Sequence, residues 1–328
     1  MRKSEKKMVI GVMTSGGDCP GMNAVLNYIC KYAQSRYKIV FVRNAYYGLV
    51  RNQIVSIDNC LVKMCIHEGG TLLGSKRFPE FEKPEFQKKA VENLRKNKIN
   101  VLIVVGGNGS YSGAKCLSKL GVNVICIPGT IDNDVKSTDL AIGFATALQT
   151  LHNCLLKISS TARSHERVSI VEVMGRYCSD LAFFSSFSTF ADMVITHDCF
   201  LSPHDVVKNL KKILLKKTSP LIVICEKLYG CDGRPNLQEL GSIIEAKVAK
   251  KVNICVIGYL QRGGSPCAFD CVLAGMMSFH AIQLINEQKF NRLVGYRNGQ
   301  ITSTKIDDDV EKDKLQNFSD KLINGFIY

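Results

Sequence analysis

Short apolar runs rich in valine and isoleucine recur along the chain: Met8 to Met13, Lys38 to Val42, Val101 to Val105, Val122 to Ile127, Val168 to Val173, Leu221 to Cys225 and Ile254 to Ile257. They are continuous rather than alternating, so the strands they form need cover on both faces, as in a parallel sheet between helices. Amphipathic stretches separate them, and a helical pattern from about Asp139 to Lys157 crosses the middle of the chain. Strands then resume with a different set of loops, which predicts a second α/β domain. A length of 328 residues, 46% hydrophobic and only 22% charged, is enough to bury two cores.

Other classes are disfavoured. No apolar run approaches the roughly 18 residues that span a bilayer, and MRKSEKK at the start is not followed by an apolar stretch. The expectation is a cytoplasmic protein with no membrane partner. Fourteen cysteines scatter from Cys19 to Cys271 without a CxxC pair or tandem metal-ligand spacing. Five of them (Cys65, Cys126, Cys154, Cys225 and Cys255) lie in apolar surroundings, and most read as reduced small hydrophobes. The net charge of +14 is spread over the chain, with local groups at Arg2 to Lys7, Lys211 to Lys217 and Lys247 to Lys251. No aromatic-interleaved basic stripe accompanies them, which argues against nucleic acid as a partner.

The loops after the apolar runs carry the chemistry. Pro128-Gly129-Thr130-Ile131-Asp132-Asn133-Asp134 presents two carboxylates and a hydroxyl. Asp132 and Asp134 can serve different partners, one taking a proton from a substrate hydroxyl and the other steering a metal or an arginine. Such turns are also commonly solvated or helix-capping, so spacing alone leaves both roles open. The first run enters Thr14-Ser15-Gly16-Gly17-Asp18-Cys19-Pro20-Gly21-Met22-Asn23, with Pro20 placed to open a helix. A second such turn is Gly106-Gly107-Asn108-Gly109-Ser110. Glycines there let backbone amides approach an anion at a helix N-terminus. Two such turns in one sheet favour a nucleotide, although neither matches GxxxxGK[ST] or a strict GxGxxG. Arg77, Arg167, Arg176 and Arg262 suit bidentate phosphate binding, and Glu226 could accept from sugar hydroxyls.

TSGGDCPGMN, GGTLLGSKRFPEF, GGNGSYSGA, PGTIDND, SHERVSIVEVMGRYCSD and LQRGGSP occur in that order. Together they resemble the ATP-dependent 6-phosphofructokinases of bacterial type, over nearly the whole chain. The resemblance implies two three-layer α/β domains with largely parallel sheets, residues 1–142 plus 254–306 binding nucleotide and 143–253 plus 307–328 binding sugar phosphate. It implies transfer of the γ-phosphoryl of ATP, with Mg²⁺, to the 1-hydroxyl of fructose 6-phosphate in glycolysis, by an allosteric homotetramer or a mixed oligomer with a paralogue. Asp132 then matches the catalytic base, with Thr130 and Asp134 on the sugar and metal side. Arg77 matches the arginine bridging the transferred group. Gly17, Phe78, Gly107, Gly109 and Ser110 match the nucleotide cradle, and Tyr46 the aromatic beside the adenine. Met174, Gly175, Arg176, Glu226 and Arg262 match sugar-phosphate contacts, and Arg167 a contact lent by a neighbouring subunit. Glycine at 109 and 129 favours ATP over pyrophosphate.

Some positions depart from the family pattern. Asn108 stands where the family has an aspartate that handles Mg²⁺, and an amide is the weaker hard-cation ligand. Tyr259 replaces a histidine, and Asn253 an arginine, at the sugar 6-phosphate. Asn27 and Ser159 replace effector-site arginines. These departures raise an alternative: a catalytically weak or inactive paralogue acting as a ligand-binding regulatory subunit.

Overall fold

The computed structural model describes residues 7–308. In chain order its strands are β1 (Val9–Thr14), β2 (Lys38–Val42), β3 (Ile54–Val55), β4 (Ile99–Gly106), β5 (Asn123–Pro128), β6 (Val168–Val173), β7 (Met193–Ile195), β8 (Leu221–Cys225), β9 (Val252–Val256), β10 (Arg292–Arg297) and β11 (Gln300–Lys305). Each apolar run of the sequence forms a strand. They assemble into a seven-stranded sheet of order β11-β10-β5-β4-β1-β2-β3 and a four-stranded sheet of order β7-β8-β6-β9. All pairs are parallel except β2 with β3 and β10 with β11.

Contacts divide the described chain into two units. One takes residues up to Ile131, Val135–Ala145 and the chain from Arg262 onward; the other takes Asp132–Asp134 and Thr146–Gln261. The expected boundary at 253/254 is displaced, because β9 pairs with β6 and so belongs to the second unit. Residues 307–308 lie in the first unit, and the rest of the expected segment 307–328 lies outside the described residues, as does most of the basic group Arg2 to Lys7.

In the first unit the central strands are buried from Val101 to Gly106 and from Val124 to Pro128. Met13, Val42, Leu49, Leu94, Leu102, Leu117 and Val124 pack into one cluster beneath helices. Helix Pro84–Lys96 starts with proline, whose fixed φ suits the first turn, and ends on Arg95 and Lys96 beside the carbonyl-rich end. The apolar helix Ala268–Asn286 is the exception to the expectation that nothing here is long enough to span a bilayer. It packs instead along helix Met22–Ala33, where the Ser278 hydroxyl donates to the Val25 carbonyl. In the second unit, Leu221–Cys225 is buried throughout. Helix Leu237–Val248 opens with a reciprocal capping box between Asn236 and Glu239. All fourteen cysteines are free thiols; burial pushes Cys30 up to about 11 and Cys225 to about 12, so both stay neutral.

Chain order in the larger sheet fixes where a ligand can sit. From β1 the chain moves outward to β2 and β3, then returns to the other side of β1 with β4 and β5. The crevice at the carboxyl ends of β1 and β4 is therefore the topological switch point, the usual ligand position in open α/β sheets. Both glycine-rich turns lie there.

Candidate active site

The two turns interlock. Ser15 N donates to the Val105 carbonyl at 2.8 Å, joining the ends of β1 and β4. Gly16 adopts φ +89°, and a side chain at Gly106 would run into the Ser15 carbonyl and the Ser110 hydroxyl. That hydroxyl is buried and has no hydrogen-bond partner. The cradle thus combines backbone that excludes a Cβ with a donor lacking an acceptor, which is what an anionic ligand supplies. Gly107 caps helix Asn108–Lys119, and Asn108 and Gly109 are exposed at its first turn. Helix Met22–Ala33 starts later than Pro20 suggests, because Gly21 is its cap, at φ +99°.

The acidic turn joins this cradle through its first residues. Gly129 N donates to the Gly106 carbonyl at 3.1 Å, and the Thr130 side chain lies 3.5–3.8 Å from a Cβ built on Gly107. Ile131 closes the first segment of the first unit, and Asp132–Asp134 counts with the second. There the buried Asn133, at φ +52°, donates to the Asp180 carboxylate at 2.8 Å, fixing the turn between the two aspartates.

Arg77 and Phe78 sit on a loop fastened from below. Thr14 Oγ1 lies 2.7 Å from Thr71 Oγ1 and 3.1 Å from the Gly74 carbonyl. The buried Asn23 side chain accepts from Leu72 N at 2.7 Å and donates to the Glu68 carbonyl at 3.1 Å. Arg77 itself is exposed. Phe78 packs edge-on against Tyr47 and Phe86, and the Tyr47 ring has the Arg51 guanidinium at 3.8 Å and the Lys76 ammonium at 4.0 Å. Sequence reasoning missed Thr14, Asn23 and Tyr47. For Asn23 a signal existed, since it closes the TSGGDCPGMN turn.

Two residues lie elsewhere than expected. Tyr46, placed beside the adenine by resemblance, is only 7% exposed; its ring stacks on Phe81 at 4.2 Å and its hydroxyl donates to the Ser110 carbonyl at 2.6 Å. It supports the Ser110 turn from the core and offers no open face. Arg262, expected on sugar phosphate, has its guanidinium against Gly17 and 3.8 Å from Asp18.

In the second unit the candidate sugar-phosphate groups gather at the carboxyl ends of β6 and β8. Met174 N donates to the buried Gln261 at 3.0 Å, and Arg176 N to the Glu226 carboxylate at 2.7 Å. Gly175 and Arg176 both adopt positive φ just past the end of β6. Burial, then the charge of Glu226, raises the carboxyl of Glu172 above its ordinary range. Tyr259 is 81% exposed. Arg167 does not join this group: it precedes β6 and donates to Asn253 at 3.1 Å. Six strand residues, about 20 Å at 3.3 Å each, separate that end from Met174.

No group of three or more histidine, cysteine or acidic residues that could hold a metal occurs among the described residues. Oxygen donors at the first-unit cradle include the exposed Asn108, the half-buried Thr130 and the Asp18 carboxylate beside Gly17, the last 3.8 Å from Arg262. Such a set fits a Mg²⁺ ion carried on nucleotide phosphates and largely hydrated, not a protein-caged one.

The family model for phosphofructokinase matches residues 9–285. The probable ATP-dependent 6-phosphofructokinase of Mycoplasma pneumoniae is 42% identical over 294 residues, 89% of this chain and 89% of that one. The ATP-dependent 6-phosphofructokinase of Vibrio campbellii is 40% identical over 307 residues, 93% of this chain and 94% of that one. The solved phosphofructokinase of Saccharomyces cerevisiae superposes with a TM-score of 0.83 at 27% identity over 98% of this chain, which spans 47% of the yeast chain. With both glycine turns, the acidic turn and the arginines in place along that span, the chain belongs to the phosphofructokinase family.

Proposed function

We propose that this chain is an ATP-dependent 6-phosphofructokinase, transferring the γ-phosphoryl group of ATP to the 1-hydroxyl of fructose 6-phosphate. The observation that carries the reading is the union of the turns: Gly129 bonds Gly106, and Thr130 lies against Gly107. The turn that bears Asp132 thus begins at the cradle suited to phosphates. In this reading Gly107, Gly109, the Ser110 hydroxyl and Gly17 receive the phosphates of ATP. Asp132 takes the proton of the attacking hydroxyl, and Arg77 spreads over the transferred group. Positioning and charge neutralisation of this kind supply most of the acceleration in phosphoryl transfer. Mg²⁺, when bound, neutralises charge on the phosphate oxygens; Asn108 and Thr130 are the residues that would face it.

Met174, Gly175, Arg176 and Glu226 form the sugar-phosphate group, with Asp134 and Tyr259 assigned to it by family pattern. Arg262 is assigned to both ligands, because its guanidinium rests on the nucleotide turn while the family pattern gives it to the sugar phosphate. Arg167 and Asn253 lie at the far end of β6 from Arg176, so a single chain cannot bring both ends to one phosphate. A second copy of the chain supplies Arg167, which makes a homo-oligomer part of the proposal, with glycolysis in the cytoplasm as its setting. The ligand-binding but inactive paralogue is not favoured, since relatives aligned over about nine-tenths of the chain bear the enzyme's name.

A coupled assay with ATP and then pyrophosphate as donor tests the reading. Saturable formation of fructose 1,6-bisphosphate with ATP is expected. Turnover confined to pyrophosphate, or absent with both, would overturn it.

A further inference from the structure

A cleft of about 280 Å³ lies wholly within the first unit, beside the helix that starts at Asn108. Asn108, Tyr111, Ser112 and Lys115 line it at i, i+3, i+4 and i+7, so they form one stripe of that helix. The flank at Gly113 packs instead against the Tyr46 ring. Facing the stripe is the segment after the acidic turn, Val135, Lys136 and Ser137, with Leu293 of β10. That wall is fixed: Tyr296 N donates to Thr138 Oγ1 at 2.9 Å, and Arg297 donates to the Lys136 carbonyl at 3.0 Å.

Two residues that line this cleft carry buried hydroxyls without the partner that burial demands. Tyr111 is 7% exposed and Ser137 3%, and neither hydroxyl makes a hydrogen bond. A buried hydroxyl left unmade costs on the order of a lost hydrogen bond, so native proteins retain few. Lys115 and Lys136 add two cations, the first held 3.6 Å from Asp307, Asp308 adds one carboxylate at the margin of the lining, and Val135, Leu293 and Ile306 are apolar. Hydroxyl donors and ammonium groups beside an apolar wall suit an anion on a small carbon body.

We propose that this cleft is a second anion site, beside the nucleotide turns, that takes a small phosphate monoester. The Tyr111 and Ser137 hydroxyls and the two lysines hold the phosphate, and Val135 and Leu293 cover the carbon body. The volume admits a single ring with one phosphate rather than a whole nucleotide.

Calorimetric titration of the full chain with phenyl phosphate tests this, with a non-hydrolysable ATP analogue and fructose 6-phosphate both saturating. The comparison protein carries Tyr111→Phe, Ser137→Ala and Lys136→Gln; two of these remove hydroxyls with no internal partner, so its thermal midpoint should match the native chain's. One saturable site in the native chain, weakened about tenfold or more in the triple variant, is expected. Equal affinity in both proteins would place the phosphate elsewhere and overturn the proposal. So would the absence of saturable heat in the native chain up to about 10 mM, a concentration that covers millimolar affinities. Binding is read without turnover, so either result stands apart from the kinase reading.

Discussion

Asn108 and Ser110 share one helix start and do different work. Ser110 is buried with its hydroxyl unpartnered, whereas Asn108 is exposed. Ser110→Ala should therefore leave the thermal midpoint nearly unchanged, because no protein hydrogen bond is lost, while raising the KM for ATP several-fold, equivalent to about 1 kcal/mol. An unchanged KM would remove that hydroxyl from the phosphate site. Asn108→Asp should raise turnover and lower the Mg²⁺ concentration needed for half-maximal rate, since a carboxylate is the better hard-cation ligand. No gain would move the cost of the family departures to Tyr259 and Asn253. Residue roles were only partly legible in the sequence. The glycines and Asp132 announce themselves by turn chemistry, but nothing in Tyr46-Tyr47 says which ring is buried. Helical phase within Ala45–Val50 decides that, turning Tyr46 onto Phe81 and leaving Tyr47 to Arg51 and Lys76.

At the scale of elements, the loop from Glu68 to Gly74 depends on side chains that only the fold brings near it. Asn23 meets Leu72 N and the Glu68 carbonyl, and Thr14 meets Thr71 and Gly74. Asn23→Ala strands these groups and should cost about 1–3 kcal/mol in denaturant unfolding. It should also lower kcat by loosening Arg77; full activity would show that Arg77 needs no such staple. The end of β6 makes a pH-dependent case. Because the Glu172 carboxyl is raised in the fold, the protonated form is favoured there, and stability falls as pH rises from the ordinary glutamate range through that raised value. Glu172→Gln should raise the thermal midpoint at pH 8 and leave it unchanged at pH 4. A shift of equal size at both values would contradict this. Strands covered on both faces were legible because burial demands unbroken apolar runs. The hairpin β10–β11 was not, since its residues are mixed, although Asn298-Gly299, both at positive φ, is a two-residue turn signal that could have revealed it. β3 and β7, at two and three residues, are too short to carry a pattern.

For the whole molecule, the order of strands explains why distant stretches of sequence serve one reaction. The return of the chain across β1 places the Gly16 and Gly106 turns side by side, and β9 belongs with β6 rather than with the nucleotide sheet, which periodicity alone could not reveal. In the proposed homo-oligomer Arg167 comes from a second copy. Arg167→Ala should raise the half-saturating fructose 6-phosphate concentration about tenfold while leaving the KM for ATP unchanged. Mixing it with an Asp132→Ser chain should restore part of the activity, as each supplies what the other lacks. Asp132 is the proposed base of the phosphoryl transfer. The turnover of Asp132→Ser in the coupled assay, alongside calorimetric binding of fructose 6-phosphate, tests that role. Turnover should fall about a hundredfold or more with binding largely retained; native-like turnover in that variant would remove Asp132 as the base.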